Sequence, residues 1–181
     1  MEQVAFAHTG TSICEDVPRI NCGPVTRYPT RVRLASSHEE EAVMDLCREL
    51  HAENGIFGLS EDKVRGILRR AFTHQGGILG VIGTPGVIEA MIYIQMTSMW
   101  YTDDPCLEEL YTFVRPKSRQ SRDAVDLLHF SKWAAETSGL PLFIGVISNQ
   151  QTERKVQLYQ RQFSRPAGNF FLYNYPRHAQ S

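Results

Sequence analysis

The sequence predicts an α/β domain with a mixed, mostly antiparallel central sheet and helices on both faces. Segments with strand and helix patterns follow one another in the order strand, two helices, several strands, helix, strand, helix and strand. A Thr-Pro-Gly turn at 84–86 joins two of these strands into a hairpin, so this part of the sheet is antiparallel. The continuous apolar run at 140–148 is typical of a strand buried on both faces.

The first half of the chain predicts an extension, one short strand and two helices. Residues 1–30 contain scattered glycine and proline with little periodicity, which predicts an N-terminal arm or irregular extension before a domain over 31–181. Residues 31–35 have the pattern of a short strand. Amphipathic helices are predicted over 36–55 and 60–72, because each segment starts with serine and acidic residues and then has apolar residues at helical spacing.

The second half alternates strands and helices after the hairpin. Segments rich in branched and aromatic residues predict strands, and segments with apolar residues three or four apart predict helices. In chain order these are the hairpin strands 76–83 and 86–101, a strand over 106–116, a helix from about Arg119 to Ser138, the buried strand 140–148, a helix over 151–163 and a closing strand over 169–175.

The composition argues against several classes of protein. The chain is 42% hydrophobic and 22% charged with a formal net charge of -1, which argues against broad electrostatic binding of nucleic acid or membranes. No apolar run is long enough to span a membrane and the start lacks the pattern of a signal peptide, so we expect a cytoplasmic protein. The four cysteines include no CxxC pair and the six histidines no HExxH pair, so we expect no metal site.

Positive charge is nevertheless concentrated at one place. Arg115, Lys117, Arg119 and Arg122 lie between the strand over 106–116 and the start of the following helix. A helix N-terminus presents unpaired N–H groups and a partial positive charge, and added basic side chains make it suitable for phosphate. The alternative is an ordinary solvated basic loop.

Two motifs occur in this half of the chain. After the strand ending in "FVRP", residues 119–124 read Arg-Gln-Ser-Arg-Asp-Ala, and after the run 140–148 the next helix contains "KVQLYQRQF". These motifs resemble those of the GNAT superfamily of N-acetyltransferases, whose first signature is Arg/Gln-x-x-Gly-x-Gly/Ala and whose second is a Leu-Tyr helix ending near Gly-Phe. Here Arg122 replaces the central glycine and Gln162 stands where the second motif has glycine. Arg122 and the stretch "ISNQQTERKVQLY" further resemble a subgroup found in bacteriophage genomes.

The resemblance implies acetyl-CoA as the acyl-donor cosubstrate. Main-chain N–H groups of the first motif would hold its pyrophosphate, and the strand before that motif would bind its pantetheine arm. An arginine in place of the glycine preserves the site only if its φ is negative, because a positive φ strains any residue with a Cβ. Asn149 would either bind the cofactor or cap the next helix. The implied cofactor-binding residues are therefore Phe113, Val114, Arg119, Gln120, Ser121, Arg122, Asp123, Ala124 and Asn149.

The resemblance also implies the catalytic groups. The superfamily often uses a glutamate on the fourth strand as base, and "LEEL" offers Glu108 and Glu109, which strand alternation places on opposite faces. By its spacing from Val114 and Arg119, Glu108 matches the position better. The alternative is that both glutamates lie at an exposed strand start. Tyr159 occupies the position of the general acid that protonates the leaving thiolate, and its alternative role is a core tyrosine.

These features together predict an N-acetyltransferase that moves an acetyl group from acetyl-CoA to a primary amine by direct attack in a ternary complex. The alternatives are a non-catalytic CoA-binding or regulatory protein with this fold, or acyl transfer to an unusual acceptor such as a modified nucleobase. The amine acceptor, whether a small molecule or a protein, has no readable code in the sequence. We expect the loop after the first helix and the segment "QMTSMWYTDDP" to shape its pocket. The sequence is compatible with a homodimer but does not determine the oligomeric state.

Overall fold

The computed structural model describes residues 31–148 and 151–168. Within these residues five strands form one sheet in the order β1-β2-β3-β4-β5. Neighbours from β1 to β4 pair antiparallel, and β4 pairs with β5 in parallel. The strands are β1 Arg33–Leu34, β2 Gly77–Thr84, β3 Val87–Ser98, β4 Pro105–Val114 and β5 Leu142–Phe143.

Four α-helices accompany the sheet in the described residues, and the second of them begins at a predicted capping residue. The side chain of Ser60 accepts a hydrogen bond from the Lys63 amide at the start of the second helix, as its sequence predicts. The helices are α1 Glu40–Asn54, α2 Glu61–Phe72, α3 Asp123–Ser138 and α4 Thr152–Phe163, with short 3-10 turns at Ser37–Glu39 and Pro116–Ser118.

The helices cover both faces of the sheet and form two apolar cores. On one face α1 and α2 pack over residues that include Leu79, Met91 and Tyr93. On the other face α3 packs through Leu127 and Phe130, against sheet residues that include Ile78, Ile92 and Ile94. The alternation of side chains along β2 and β3 therefore supplies both cores. The predicted fold class, a mostly antiparallel mixed sheet with helices on both faces, is confirmed.

The prediction of a long buried strand over 140–148 is wrong for the described structure. The strand is limited to Leu142–Phe143, and Phe143 and Ile147 are 42% and 66% exposed. The parallel ladder stops because the Gly145 amide donates to the side chain of Glu109 (3.3 Å) and not to the main chain of β4. Consequently β4 and the chain after β5 separate from each other.

The helix predicted from about Arg119 begins at Asp123, because a 3-10 turn at Pro116–Ser118 and further turns precede it. The arm at 1–30, the strand at 169–175 and Asn149 lie outside the described residues, so these remain predictions. In the described part of the chain, no helix is both long and apolar enough to cross a membrane.

Candidate active site

The candidate site lies where β4 leaves β5. Pairing with β5 is limited to Leu107 and Glu108, whereas pairing with β3 continues to Val114. A β-bulge interrupts the β3–β4 ladder, because Tyr93 pairs with Tyr111 and Ile94 pairs with Glu109. Leu110 is therefore an extra residue, and it changes the alternation of side chains along β4. The bulge lies at the point where the two parallel strands diverge.

Glu109 and Tyr159 meet at this point. The Tyr159 hydroxyl donates to Glu109 Oε1 (3.0 Å), and the Gly145 amide donates to Glu109 Oε2 (3.3 Å). Burial raises the pKa of Glu109 to about 7, and the nearby Thr112 hydroxyl, together with these two hydrogen bonds, opposes part of the rise. A carboxyl group with such a pKa can both accept and release a proton near neutral pH.

The environment keeps the Tyr159 phenol protonated. Burial, and to a smaller degree the charge of Glu109, raise the pKa of Tyr159 well above its usual value. The hydroxyl of Thr112 is buried on the same face of β4 and lies close enough to Glu109 and Tyr159 to lower the pKa of both groups. The side chains of Glu109 and Thr112 on β4 and the phenol of Tyr159 on α4 therefore lie together at one place.

Glu108, the preferred base on sequence spacing, faces the other side of the sheet. Its carboxylate accepts a hydrogen bond from Gln95 Nε2 (2.7 Å), its antiparallel pairing partner on β3. The two glutamates do lie on opposite faces, as alternation predicts, but it is Glu109 that contacts Tyr159. The geometry therefore favours Glu109 over Glu108 as the partner of the phenol.

The signature loop before α3 offers some of its main-chain N–H groups. The Ser121 amide donates to Ser118 O (3.1 Å) and the Asp123 amide to Ser121 Oγ (3.1 Å), so both are engaged within the loop. Among the described residues the amides of Gln120, Arg122 and Ala124 have no acceptor in the loop. Of the five main-chain N–H groups from Gln120 to Ala124, three are therefore available at the helix start.

Arg122 replaces glycine without backbone strain. It is the N-cap residue of α3, with φ -86° and ψ 5°. Because φ is negative, the position does not need the conformational freedom of glycine. The condition under which the substitution keeps the loop intact is met.

Most of the basic cluster is neutralised by acidic residues of other elements. Arg115 pairs with Glu49 of α1 (2.9 Å), and Lys117 pairs with Glu89 of β3 (3.5 Å). Arg119 also pairs with α1, through Glu53, and donates to Val114 O (3.0 Å). Arg122 is exposed and has no carboxylate partner in the described part of the chain. It is thus the one cation of the cluster that remains uncompensated there.

Phe113 and Val114 precede this loop. The Phe113 side chain is buried in the core beneath α1 and α2, and the Arg119 guanidinium lies 5.6 Å from the centre of its ring. Only the main chain of Phe113 can therefore face a ligand. The structure thus places the predicted strand residues next to the predicted loop residues, with Arg119 linking the two.

Two charged residues of this region were not found from the sequence. Glu53, at the end of α1, pairs with Arg119, and Lys155 of α4 lies 3.6 Å from the same carboxylate. Lys155 had a local signal, because it precedes Tyr159 by four residues and so shares its face of the helix. Glu53 had no such signal, since its partners are distant in sequence.

Several solved structures share this architecture. AAC(6')-Iy in complex with the bisubstrate analogue CoA-S-monomethyl-acetylneamine matches with a TM-score of 0.61 and 16% identity, over 78% of this chain and 95% of that chain. The aminoglycoside antibiotic 6'-N-acetyltransferase AAC(6')-Ih from Acinetobacter baumannii gives 0.59 and 14%, over 78% and 95%. The ribosomal-protein-alanine N-acetyltransferase from Brucella melitensis biovar Abortus 2308 gives 0.59 and 10%, over 80% and 97%.

These similarities define the class of fold. The chain has the GNAT-type acyl-CoA N-acyltransferase fold that its two motifs predict. No protein-family model matches the sequence, and no curated protein matches it. Since the structural relatives are below one-fifth identical, the fold comes from the comparison and the chemistry must be argued from the site.

Proposed function

We propose that this protein is an N-acetyltransferase that moves an acetyl group from acetyl-CoA to a primary amine by direct attack in a ternary complex. The observation that carries this proposal is the hydrogen bond between Tyr159 and Glu109 at the divergence of β4 and β5. An acid and a base side by side, next to a helix start with available amides, are the groups that acyl transfer from a thioester requires.

The residues present fit an acyl-CoA. The amides of Gln120, Arg122 and Ala124 and the uncompensated Arg122 side chain would hold the pyrophosphate. The separation of β4 from the chain after β5 leaves the second half of β4 without a parallel partner in the described residues, which suits the pantetheine arm. Bound acetyl-CoA would supply the thioester, and the protein supplies the proton transfers.

Glu109 and Tyr159 divide these proton transfers. As the amine nitrogen attacks the thioester carbonyl carbon, the Glu109 carboxylate takes a proton from that nitrogen. As the carbon–sulfur bond breaks, the Tyr159 hydroxyl gives its proton to the sulfur. The new C–N bond replaces the C–S bond, and the products are an amide and a free thiol. Glu109 then returns the amine's proton to Tyr159 along their hydrogen bond, so no net proton is lost.

The base in this proposal is Glu109, and Glu108 is the alternative. Glu109 contacts Tyr159 and has a pKa near the working pH, which maximises its ability to exchange protons. Glu108 is bonded to Gln95 on the opposite face of the sheet. It would need a different approach of the amine to act.

The acceptor and the setting are part of the proposal. The relatives' names refer to aminoglycosides and to alanine of a ribosomal protein, so these two kinds of amine are the first candidates. The exposed aromatic residues Phe57, Trp100 and Tyr101, in the loops predicted to shape the acceptor pocket, can contact it. A cytoplasmic location, a homodimer and membership of the bacteriophage subgroup stay proposals that rest on the sequence alone.

One experiment tests the activity against its alternatives. Purified protein is titrated with acetyl-CoA by calorimetry, and thiol release is then screened over aminoglycosides, peptides with N-terminal alanine, other amines and nucleosides. Binding together with amine-dependent thiol release supports the proposal. Binding without thiol release for any acceptor supports a non-catalytic CoA-binding protein, and release only with nucleosides supports an unusual acceptor. If saturating acetyl-CoA gives no heat of binding and no rise in melting temperature, the use of this donor is refuted.

A further inference from the structure

Three charged side chains from three separate elements meet near the cleft that forms where β4 and the chain after β5 separate. Glu53 comes from the last turn of α1, Arg119 from the loop after β4, and Lys155 from the first half of α4. The Glu53 carboxylate is bonded to the Arg119 guanidinium, and the Lys155 ammonium lies 3.6 Å from the same carboxylate. Lys155 also donates to Ser148 Oγ (2.6 Å). The two cations therefore share a single anion.

This cluster joins the two walls of the cleft. Arg119 follows β4, whereas Ser148 and Lys155 follow β5, and these two parts of the chain separate after Phe143. The end of α1 contacts both, because Ser148 Oγ donates to Asn54 Oδ1 (2.9 Å) while Glu53 holds the cations. The cluster therefore links the chain after β4 to the chain after β5.

The charges of the cluster are not balanced. The Glu53 side chain is 10% exposed, so its carboxylate is mostly withdrawn from water, yet it compensates two cations with one negative charge. Burial lowers the pKa of Lys155 below its usual range; Glu53 opposes this effect and Arg119 adds to it. An anion with more than one negative charge would satisfy both cations better than a carboxylate does.

The position of Lys155 relates the cluster to the rest of the site. It lies one helical turn before Tyr159 on α4, and Arg119 begins the loop that carries the free amides. Lys155 and Arg119 therefore link the helix that carries the phenol to the loop that carries the amides.

We propose that Lys155 is a further phosphate-binding residue of this protein, which binds the diphosphate of the acyl donor together with Arg119, and that Glu53 competes with the diphosphate for the two cations. This inference rests on the proposed function, because it takes an acyl-CoA as the ligand. It adds to that function a binding residue on α4 and an internal competitor on α1. The affinity for the acyl donor then depends on how readily its diphosphate replaces the Glu53 carboxylate on Arg119 and Lys155.

The first test removes the α4 cation. Lys155→Met should weaken binding of acetyl-CoA about tenfold, the usual effect of losing one charge-assisted contact, and should leave binding of acetyl-pantetheine, which has no phosphate, unchanged. Lys155→Arg should restore the affinity for acetyl-CoA. The matched control is Lys117→Met, which changes the net charge equally in the same region but removes a lysine that pairs with Glu89. It should change the affinity about twofold or less.

The second test removes the competitor. Glu53→Gln should tighten binding of acetyl-CoA about three- to tenfold, because the cations then lack their internal anion. Glu49→Gln is the matched control, since it removes a carboxylate of the same helix that pairs with Arg115. Weaker binding in Glu53→Gln would overturn the competition and indicate that the carboxylate positions Arg119.

The outcomes separate this inference from the proposed function. If the wild-type protein does not bind acetyl-CoA, the proposed donor is wrong and the inference is lost with it. If the wild-type protein binds acetyl-CoA and Lys155→Met binds it equally well, the function stands and the role of Lys155 is refuted. Should Lys155→Met melt at a much lower temperature than the wild type, Lys155→Gln replaces it in the same comparison, with the same two outcomes.

Discussion

Replacing Glu109 by glutamine is the sharpest test of the proposed chemistry. The carboxyl group has a pKa of about 7 because it is buried, so about one-tenth of it is ionised near pH 6 and about nine-tenths near pH 8. If the carboxylate is the base, kcat/KM of the wild type should rise with pH in proportion to the ionised fraction of Glu109. It should also rise with the fraction of the amine acceptor that is neutral. Glutamine cannot accept the proton, so kcat/KM of the variant should depend on pH only through the neutral fraction of the amine.

The magnitude follows from these fractions. Loss of a general base typically lowers the rate about 10²–10⁴-fold, and we expect at least the lower value for Glu109→Gln near pH 8. The ratio of wild-type to variant kcat/KM should then fall about tenfold between about pH 8 and pH 6, because the wild type loses its ionised base while the amine affects both proteins equally. The assay is thiol release at subsaturating acetyl-CoA and amine across this pH range.

Glu108→Gln is the matched control, because it makes the same change one residue away on the opposite face. It should keep kcat/KM within about threefold of the wild type at every pH, since the only contact that it changes among the described residues is the hydrogen bond with Gln95. A larger loss in Glu108→Gln than in Glu109→Gln would show that the base is on the other face. A Glu109→Gln ratio that does not change with pH would exclude proton transfer to this carboxylate.

The same substitution has a consequence for stability. The pKa of Glu109 rises from an ordinary 4.5 to about 7 on folding, so its contribution to stability is complete below about pH 4.5 and is lost as the pH rises through 7. At higher pH the ionised carboxylate costs the fold about 3 kcal/mol at most. Glu109→Gln should therefore be more stable than the wild type to urea near pH 8, and this gain should disappear near pH 4.5. A gain of equal size at both values would contradict the raised pKa.

Three further substitutions test other parts of the structure. Tyr159→Phe should lower kcat about 10²-fold with little change in the affinity for acetyl-CoA, measured by turnover and calorimetry; unchanged turnover would remove its role as acid. Arg122→Glu should weaken acetyl-CoA binding at least about tenfold and more than Lys117→Glu, because Arg122 has no carboxylate partner among the described residues whereas Lys117 pairs with Glu89; equal effects would mean that only the general charge of the loop matters. The hydrogen bonds from Arg33 lower the pKa of Glu39 to about 2. Glu39→Gln should therefore destabilise the fold by about 2–3 kcal/mol at neutral pH, measured by urea titration. This difference should shrink as the pH falls from 4.5 through 2.

The fold could be predicted from the sequence because its signals are local. The cap at Ser60 and the apolar spacing that follows it set α2, and the turn at 84–86 sets the β2–β3 hairpin. The extent of β5 could not be predicted in this way. A continuous apolar run is compatible with a long strand, but the Gly145 amide bonds to a side chain and ends the ladder. That contact is made with a residue 36 positions away.

The identity of the glutamate beside Tyr159 shows the same limit. Counting back from Val114 in steps of two leads to Thr112, Leu110 and Glu108, so regular alternation selects Glu108. The bulge at Leu110 adds one residue, and Glu109 then shares the face of Thr112. Nothing in the letters of this strand marks the bulge, because Leu is an ordinary strand residue.

The charge of the signature loop was visible in the sequence, but its compensation was not. Arg115 and Arg119 are four residues apart, as are Glu49 and Glu53, and helix α1 brings the two acids opposite the two bases. Such pairing depends on the packing of elements that are far apart in the chain. It explains how a basic loop fits a nearly neutral protein, and among the described residues it leaves Arg122 as the cation of this loop without a carboxylate partner.

One strand connects all the groups that the proposed reaction needs. The start of β4 is held by β5 at Leu107, and its end is held through Arg115 and Arg119 to α1, so both ends of the strand have fixed neighbours. The bulge at Leu110 lies between these anchors and sets how far Glu109 is from the amides at the start of α3. Leu110 is 40% exposed, a value at which substitutions usually matter little for stability. Its importance would be in catalysis, because a β4 without the bulge would turn Glu109 away from Tyr159 while the fold and the donor site remained.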